Sequence, residues 1–108
     1  MDDSAEPTAE VLLDAADTFA MLASTQRLHM LWLLARQERD VSSIAEALGV
    51  SGPLVSQHLA KLRLAGLVSA RRDGKRQMYR VDDPHVASLV DQAIDHHQDL
   101  RSQLTSPW

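Results

Sequence analysis

Apolar residues recur at helical spacing through the first third of the chain. From Thr8 to about Ala23 they fall three or four positions apart, as expected for a helix with one buried face. These positions are Val11, Leu12, Ala15, Ala16, Phe19 and Leu22. Ser24 or Thr25 can cap a second helix. The apolar face predicted for that helix is Leu28, Leu31, Trp32 and Ala35.

A shorter helix and a longer one are predicted next. Ser42 or Ser43 can cap the shorter helix, which ends near Leu48 because Gly49 favours a stop.

The longer helix is predicted from Ser51 to about Ala65, just before Gly66. Ser51 is a favourable N-cap, and Pro53 falls in the first turn, where its missing N–H costs little. Two such helices joined by a tight turn form a helix-turn-helix, here Ser43–Leu48 followed by the longer helix. Its expected core is Ala45, Leu48, Val50, Val55, Leu59 and Leu62.

Two short stretches with the character of strands follow. They are Leu67–Arg72 and Gln77–Val81, and Asp73-Gly74 between them is typical of a tight hairpin turn.

A last helix is predicted from Pro84 to about Gln103, with Asp83 as its N-cap. The predicted fold is therefore mainly α with a small β-hairpin, in the order α-α-α-α-β-β-α of a winged helix-turn-helix. The 108 residues suit one domain, which we expect over residues 8–104 after a disordered acidic tail at residues 1–7.

The net charge of −4 conceals a strongly basic segment. Residues 61–80 carry a charge of +6, with Asp73 as their one acid, whereas the rest of the chain carries −10. The basic residues are Lys61, Arg63, Arg71, Arg72, Lys75, Arg76 and Arg80. Because DNA responds to a local patch rather than to the total charge, this segment predicts a nucleic-acid-binding surface. A solvated charged hairpin is the alternative.

The longer helix of the pair has the composition of a DNA-reading helix. Its N-terminal part is slim enough to enter a major groove closely, and polar side chains follow on its outer face. The predicted contacts with double-stranded operator DNA on this helix are Ser51, Gly52, Pro53, Ser56, Gln57, His58 and Lys61. In the hairpin, Arg71, Arg72, Lys75 and Arg76 are expected to follow the phosphates and supply salt-dependent affinity.

Several function classes are disfavoured. The chain has no cysteine, which excludes disulfides, thiolate zinc sites and thiol redox sensing. No apolar run approaches the roughly 20 residues that span a bilayer, and Met1–Glu10 is acidic, unlike a signal peptide, so we expect a cytoplasmic protein with no membrane contact. No nucleophile–base pair, phosphate loop or open metal triad is recognisable, which argues against an enzyme.

Several blocks of sequence stand out between Ala16 and Asp99. They are Leu22–Leu28 (LASTQRL), Ile44–Gly49 (IAEALG), Val55–Leu62 (VSQHLAKL), Gly66–Val68 (GLV), Arg72-Asp73-Gly74 and Tyr79. Together they resemble the ArsR/SmtB family of small bacterial winged-helix repressors. The resemblance implies a homodimer formed by the first and last helices. It also implies operator binding that an effector, usually a metal ion, relieves.

One recurrent metal site of that family uses two cysteines at the start of the third helix. The matching stretch here, Asp40–Ile44, has none, which argues against sensing of arsenite, lead or cadmium by thiolates.

The last helix carries candidate ligands for another site of the family. Asp83, His85, His96 and Asp99 resemble its dimer-helix metal site, although the family pattern normally ends in His or Glu. His85 and His96 share one helical stripe but lie about 16 Å apart along the axis, so one ion cannot bind both in one chain. If two such helices pack antiparallel, Asp83 and His85 of one subunit meet His96 and Asp99 of the other.

Two imidazoles and two carboxylates suit Zn²⁺, with Ni²⁺ or Co²⁺ as the alternatives. His97 is interpreted as interface packing, with a ligand role as the alternative. It is assigned to an apolar dimer-facing stripe with Val86, Val90, Ala93, Leu100 and Leu104. Asp91 and Asp95 are expected on the solvent side, and His29 is interpreted as structural. A repressor of the same fold without a metal response, and a protein-interaction module, remain alternatives to a metal-responsive repressor.

Overall fold

The computed structural model describes residues 5–105. In this range the elements are α1 (Ala9–Leu22), α2 (Thr25–Arg36), α3 (Val41–Leu48), α4 (Gly52–Leu64), β1 (Ser69–Asp73), β2 (Arg76–Arg80) and α5 (Pro84–Thr105). Their order confirms the predicted winged helix-turn-helix. Of the predicted acidic tail, residues 1–4 lie outside the described part, and residues 5–7 are exposed and belong to no helix or strand.

Side-chain caps fix where three of the helices begin. Thr8, Ser24 and Ser51 each accept a hydrogen bond from a backbone N–H three residues further on, at the starts of α1, α2 and α4. Ser24 is thus the cap of α2 rather than Thr25.

The start of α3 differs from the prediction. Asp40, rather than Ser42 or Ser43, is the N-cap, and its Oδ1 accepts a hydrogen bond of 2.9 Å from the Ser43 N–H. The first helix of the pair therefore begins at Val41, two residues before the predicted Ser43. Gly49 ends it with φ +69°, a conformation that favours glycine.

The core lies where α2, α3, α4 and α5 meet and the hairpin begins. Its buried members are Met30, Leu31, Leu34, Ile44, Val55, Leu59, Leu62, Leu67, Val68, Val86 and Val90. In the predicted helix-turn-helix core, Val55, Leu59 and Leu62 are buried, and the other three pack partly buried against them.

The predicted apolar face of α2 is correct but incomplete. Met30, Leu33 and Leu34 are buried beside Leu31, whereas Leu28 and Trp32 are only partly buried. The reason is that α2 contacts α1, α3, β2 and α5, so it buries more than one face.

The hairpin is shorter than predicted. β1 and β2 pair antiparallel from Ser69 opposite Arg80 to Asp73 opposite Arg76. Leu67 precedes the strand and is buried in the core. The turn lies one residue later than the predicted Asp73-Gly74: Asp73 belongs to β1, and Gly74, at φ +65°, and Lys75 connect the strands.

α5 uses one face to pack on its own chain. Val86 and Val90 are 5% and 1% exposed within the core, which corrects their assignment to a dimer-facing stripe. Asp91, expected on the solvent side, instead forms an ion pair of 3.0 Å with Arg36 of α2. Leu104, by contrast, is 83% exposed. None of the helices described is both long and apolar enough to cross a membrane.

Candidate nucleic-acid interface and metal-ligating residues

The outer face of α4 is polar and accessible. Its inner face is anchored in the core through Val55, Leu59 and Leu62, and this leaves Ser56, Gln57 and Lys61 exposed. Ser51, Gly52 and Pro53 form the cap and first turn, where no bulky side chain limits approach. A helix fixed in this way presents the polar side chains of its N-terminal half, which can contact base edges in a major groove.

His58, on the same helix, contacts α2. It is half-buried, and its Nε2 lies 3.0 Å from Oε1 of Gln26 in α2. Burial lowers the pKa of His58, and the nearby charges of Arg27 and Lys61 lower it further. Because Oε1 of Gln26 can only accept, the His58 Nε2–H donates to it, and this bond ties α4 to α2. The role of His58 as a DNA contact stays a prediction.

The basic side chains of the hairpin divide into two groups. Arg71 makes two hydrogen bonds of 2.7 Å with Glu38, and Arg76 lies 3.4 Å from Asp40. The hydrogen bond from Arg71 holds the pKa of Glu38 below its usual value. Arg72, in contrast, is exposed and forms no ion pair within residues 5–105.

Glu38 and Gln26 were not predicted as site residues. Each partner lies more than 30 positions away along the chain, so no local pattern indicates the contact. Asp40 had a signal, because an aspartate three residues before Ser43 is a favourable N-cap.

Asp83 and His85 adjoin at the start of α5. Asp83 Oδ1 accepts hydrogen bonds from the His85 backbone N–H at 2.8 Å and from its Nδ1 at 2.9 Å. These bonds, the one from the backbone first, lower the pKa of Asp83 and keep it a carboxylate. The His85 side chain is 91% exposed, which leaves Nε2 accessible as a ligand.

His96 and Asp99 lie more than two helical turns further along α5. Both are exposed, and the ring of His96 packs edge-to-face against His97, with 5.0 Å between the ring centroids. Across the described residues, no three side chains capable of binding a metal converge within one chain. The four predicted ligands thus stand as two pairs at separate positions on one helix.

A long apolar surface is left uncovered by the single chain. Of the 14 residues of α1 none is buried, and Leu12, Leu13 and Phe19 are more than half exposed. Leu100 and Leu104, in the C-terminal half of α5, are also exposed apolar residues, at 40% and 83%. Exposed apolar surface on this scale marks an interaction site.

The sequence and fold have clear relatives. The profile of the "Bacterial regulatory protein, arsR family" matches residues 24–70, from the start of α2 into β1. The transcriptional regulator KmtR of Mycobacterium tuberculosis is 47% identical over 88 residues, which are 82% of this chain and 67% of that protein. The chain belongs to the ArsR family. This ArsR-family chain is accordingly a transcriptional regulator and no enzyme.

Two further relatives bear on how an ArsR-family regulator can work. A "Probable mercury resistance operon repressor" of Streptomyces lividans is 47% identical over 87 residues, which cover 77% of this chain and 70% of that protein. The homodimeric winged helix-turn-helix DNA-binding domain of Mb0332 from Mycobacterium bovis has 36% identity and a TM-score of 0.77, with 92% of each chain covered.

Proposed function

We propose that this ArsR-family protein is a repressor that binds double-stranded operator DNA as a homodimer and is released when a metal ion binds at its dimer helices. Because the DNA of a bacterium lies in its cytoplasm, the protein acts there. The observation that carries the proposal is that one winged helix-turn-helix combines an exposed polar face on α4 with a basic hairpin.

The DNA-binding part rests on the division of labour between α4 and the hairpin. Ser56 and Gln57 are exposed hydrogen-bonding side chains on a helix that fits a major groove. Lys61, Arg72 and Lys75 are exposed cations that can follow the phosphates on either side.

The homodimer rests on α1 and on the distal part of α5. In a two-fold assembly the same patch on each subunit covers the other, and α1 is a patch with no buried residue of its own. The Mycobacterium bovis relative, whose fold the chain shares, is a homodimer.

The metal response rests on the chemistry of two exposed pairs. Asp83 and His85 of one protomer, with His96 and Asp99 of its partner, provide two imidazoles and two carboxylates, a donor set that suits Zn²⁺. Ni²⁺ and Co²⁺ are the alternatives, with water completing the coordination. The Streptomyces lividans relative is named as a repressor of mercury resistance, which supports a metal as the class of effector.

Release follows from coupling between α5 and the spacing of the reading helices. The two α4 helices of a dimer must lie about 34 Å apart to enter successive major grooves. An ion held between two chains would cross-link the α5 helices and favour another dimer geometry. Such a coupling is typically about 1–3 kcal/mol, or about 5–150-fold in DNA affinity, and it is reciprocal.

The test begins with an operator selected from a random duplex pool by the metal-free protein. Fluorescence anisotropy then follows release as Zn²⁺, Ni²⁺ or Co²⁺ is added. We expect one ion to weaken binding at least fivefold, and His96→Ala to abolish the effect without changing the metal-free affinity. His29→Ala is the matched control, because His29 is an exposed histidine on α2.

Two outcomes would contradict parts of the proposal. If the protein binds its operator tightly and no ion changes the affinity, it is a winged-helix repressor with another effector or none. If metal release persists in His96→Ala, the ion binds elsewhere.

A further inference from the structure

The connection between α2 and α3, residues 37–40, contacts the hairpin. Arg39 and Tyr79 exchange two backbone hydrogen bonds, of 3.1 Å from the Arg39 N–H and 2.8 Å from the Tyr79 N–H. This isolated antiparallel bridge joins the connection to β2. The residues on either side of Arg39 in the connection are both acids, Glu38 and Asp40. The connection therefore presents two carboxylates to the basic hairpin.

Within this connection, Glu38 makes the shortest ion-pair contact with the hairpin. Its two oxygens each accept a bond of 2.7 Å from Arg71, the paired geometry in which a guanidinium best matches a carboxylate. Arg80 approaches the same carboxylate at 3.9 Å. The Glu38 side chain is only 23% exposed, whereas that of Arg71 is 51% exposed.

These contacts leave few hairpin cations for phosphates. Arg71 and Arg76 pair with the two acids of the connection, and Arg80 pairs with Asp82 at 2.6 Å. In the part of the chain that the structure describes, Arg72 and Lys75 are the hairpin cations without an ion pair.

We propose that Glu38 is a positioning residue for DNA binding, which holds the hairpin at its working angle through Arg71, and that Arg72 and Lys75 make the phosphate contacts. The proposal rests on DNA binding as proposed above and is independent of the metal response. It places an acid among the residues that favour binding to a polyanion.

The direction in which one substitution changes DNA affinity distinguishes this positioning role from simple charge repulsion. A carboxylate on a DNA-binding unit repels phosphate, so its neutralisation alone raises affinity. If Glu38 positions the hairpin, Glu38→Gln lowers affinity instead, although the protein gains a positive unit of net charge. Glu46→Gln is the matched control, since Glu46 is an exposed acid on α3 without an ion pair within residues 5–105.

The experiment measures anisotropy on a mixed-sequence 40-base-pair duplex over a range of salt concentrations. We expect Glu38→Gln to weaken binding about two- to fivefold, the effect of losing an exposed ion pair, while Glu46→Gln leaves it unchanged or tightens it. Arg72→Ala and Lys75→Ala should each reduce the slope of log K against log salt by about 0.9, the value for one phosphate contact. Arg71→Ala should leave that slope unchanged.

A second variant guards against misfolding. Arg71→Lys keeps the charge but loses the paired hydrogen bonds, so it should weaken binding like Glu38→Gln, with the salt slope of the wild type. Amide hydrogen exchange at Tyr79 should become faster in both variants, because its N–H is bonded to the connection.

The outcomes are distinguishable. If Glu38→Gln tightens binding as Glu46→Gln does, or if Arg71→Ala lowers the salt slope, then Arg71 contacts phosphate and the positioning role is wrong. If the wild-type protein binds no duplex at all, the proposed function itself has failed.

Discussion

At the scale of single residues, His58 of α4 is expected to make the stability of the fold depend on pH. Its pKa is below the ordinary 6.5 in the folded chain, chiefly through burial, so the folded state favours the neutral imidazole. In the unfolded chain the imidazole takes up a proton near pH 6.5. Between these two pKa values the unfolded state binds more protons, and stability therefore falls as the pH is lowered below about 6.5.

We expect His58→Asn to reduce this loss of stability between neutral and mildly acid pH, as measured by urea denaturation at a series of pH values. His29→Asn is the matched control, the same substitution at an exposed position of α2. An unchanged profile in His58→Asn would show that His58 is not the group responsible.

Single residues also mark the limit of prediction from sequence. Ser51 was identified correctly because a cap and the N–H that it accepts from lie three residues apart. Glu38 was not, because its partner Arg71 lies 33 positions away and only the fold brings the two together. The contact of His58 with Gln26 was not predictable either, because the two residues lie 32 positions apart.

At the scale of the element, the start of α3 depends on one carboxylate with two duties. Asp40 Oδ1 caps α3, while Oδ2 lies 3.4 Å from Arg76 of the hairpin. The sequence predicts Ser42 or Ser43 as the cap, but Asp40, two positions before Ser42, has an equally favourable capping side chain. The structure favours Asp40, so the helix starts earlier than predicted.

The two duties can be separated by substitution. Asp40→Asn retains a good cap and removes the charge, so we expect little loss of stability, whereas Asp40→Ala should cost about 1 kcal/mol of unfolding free energy. Ser42→Ala should be close to neutral, because Ser42 is exposed and caps nothing. Urea denaturation of the three variants would show this order, and an equal loss in Asp40→Asn would assign the effect to the ion pair instead.

At the scale of the whole molecule, the order of elements was predictable because each helix has its own period and cap. It was not predictable which apolar faces the chain buries itself and which it leaves for a second copy to cover. Val86 and Val90 were assigned to a dimer surface, yet α5 packs them on α2 and leaves the C-terminal leucines exposed. A periodic pattern shows that a face is buried, but the same pattern results whether its own chain or a second copy covers it.

The exposed face of α1 makes the strongest prediction about assembly. Leu12 is 56% exposed on a helix that has no fully buried residue within one chain, so a partner is expected to cover it. Replacing it with Lys would cost about 1 kcal/mol in each of two symmetric copies, which is about 30-fold in the dimer dissociation constant. Ala47→Lys is the control, because Ala47 is exposed on α3, outside α1 and α5. Sedimentation velocity should show Leu12→Lys dissociating at concentrations where Ala47→Lys remains dimeric. DNA affinity should fall with the loss of dimer, because a monomer reaches only one half-site. Equal dissociation of both variants would argue against α1 as the dimer surface.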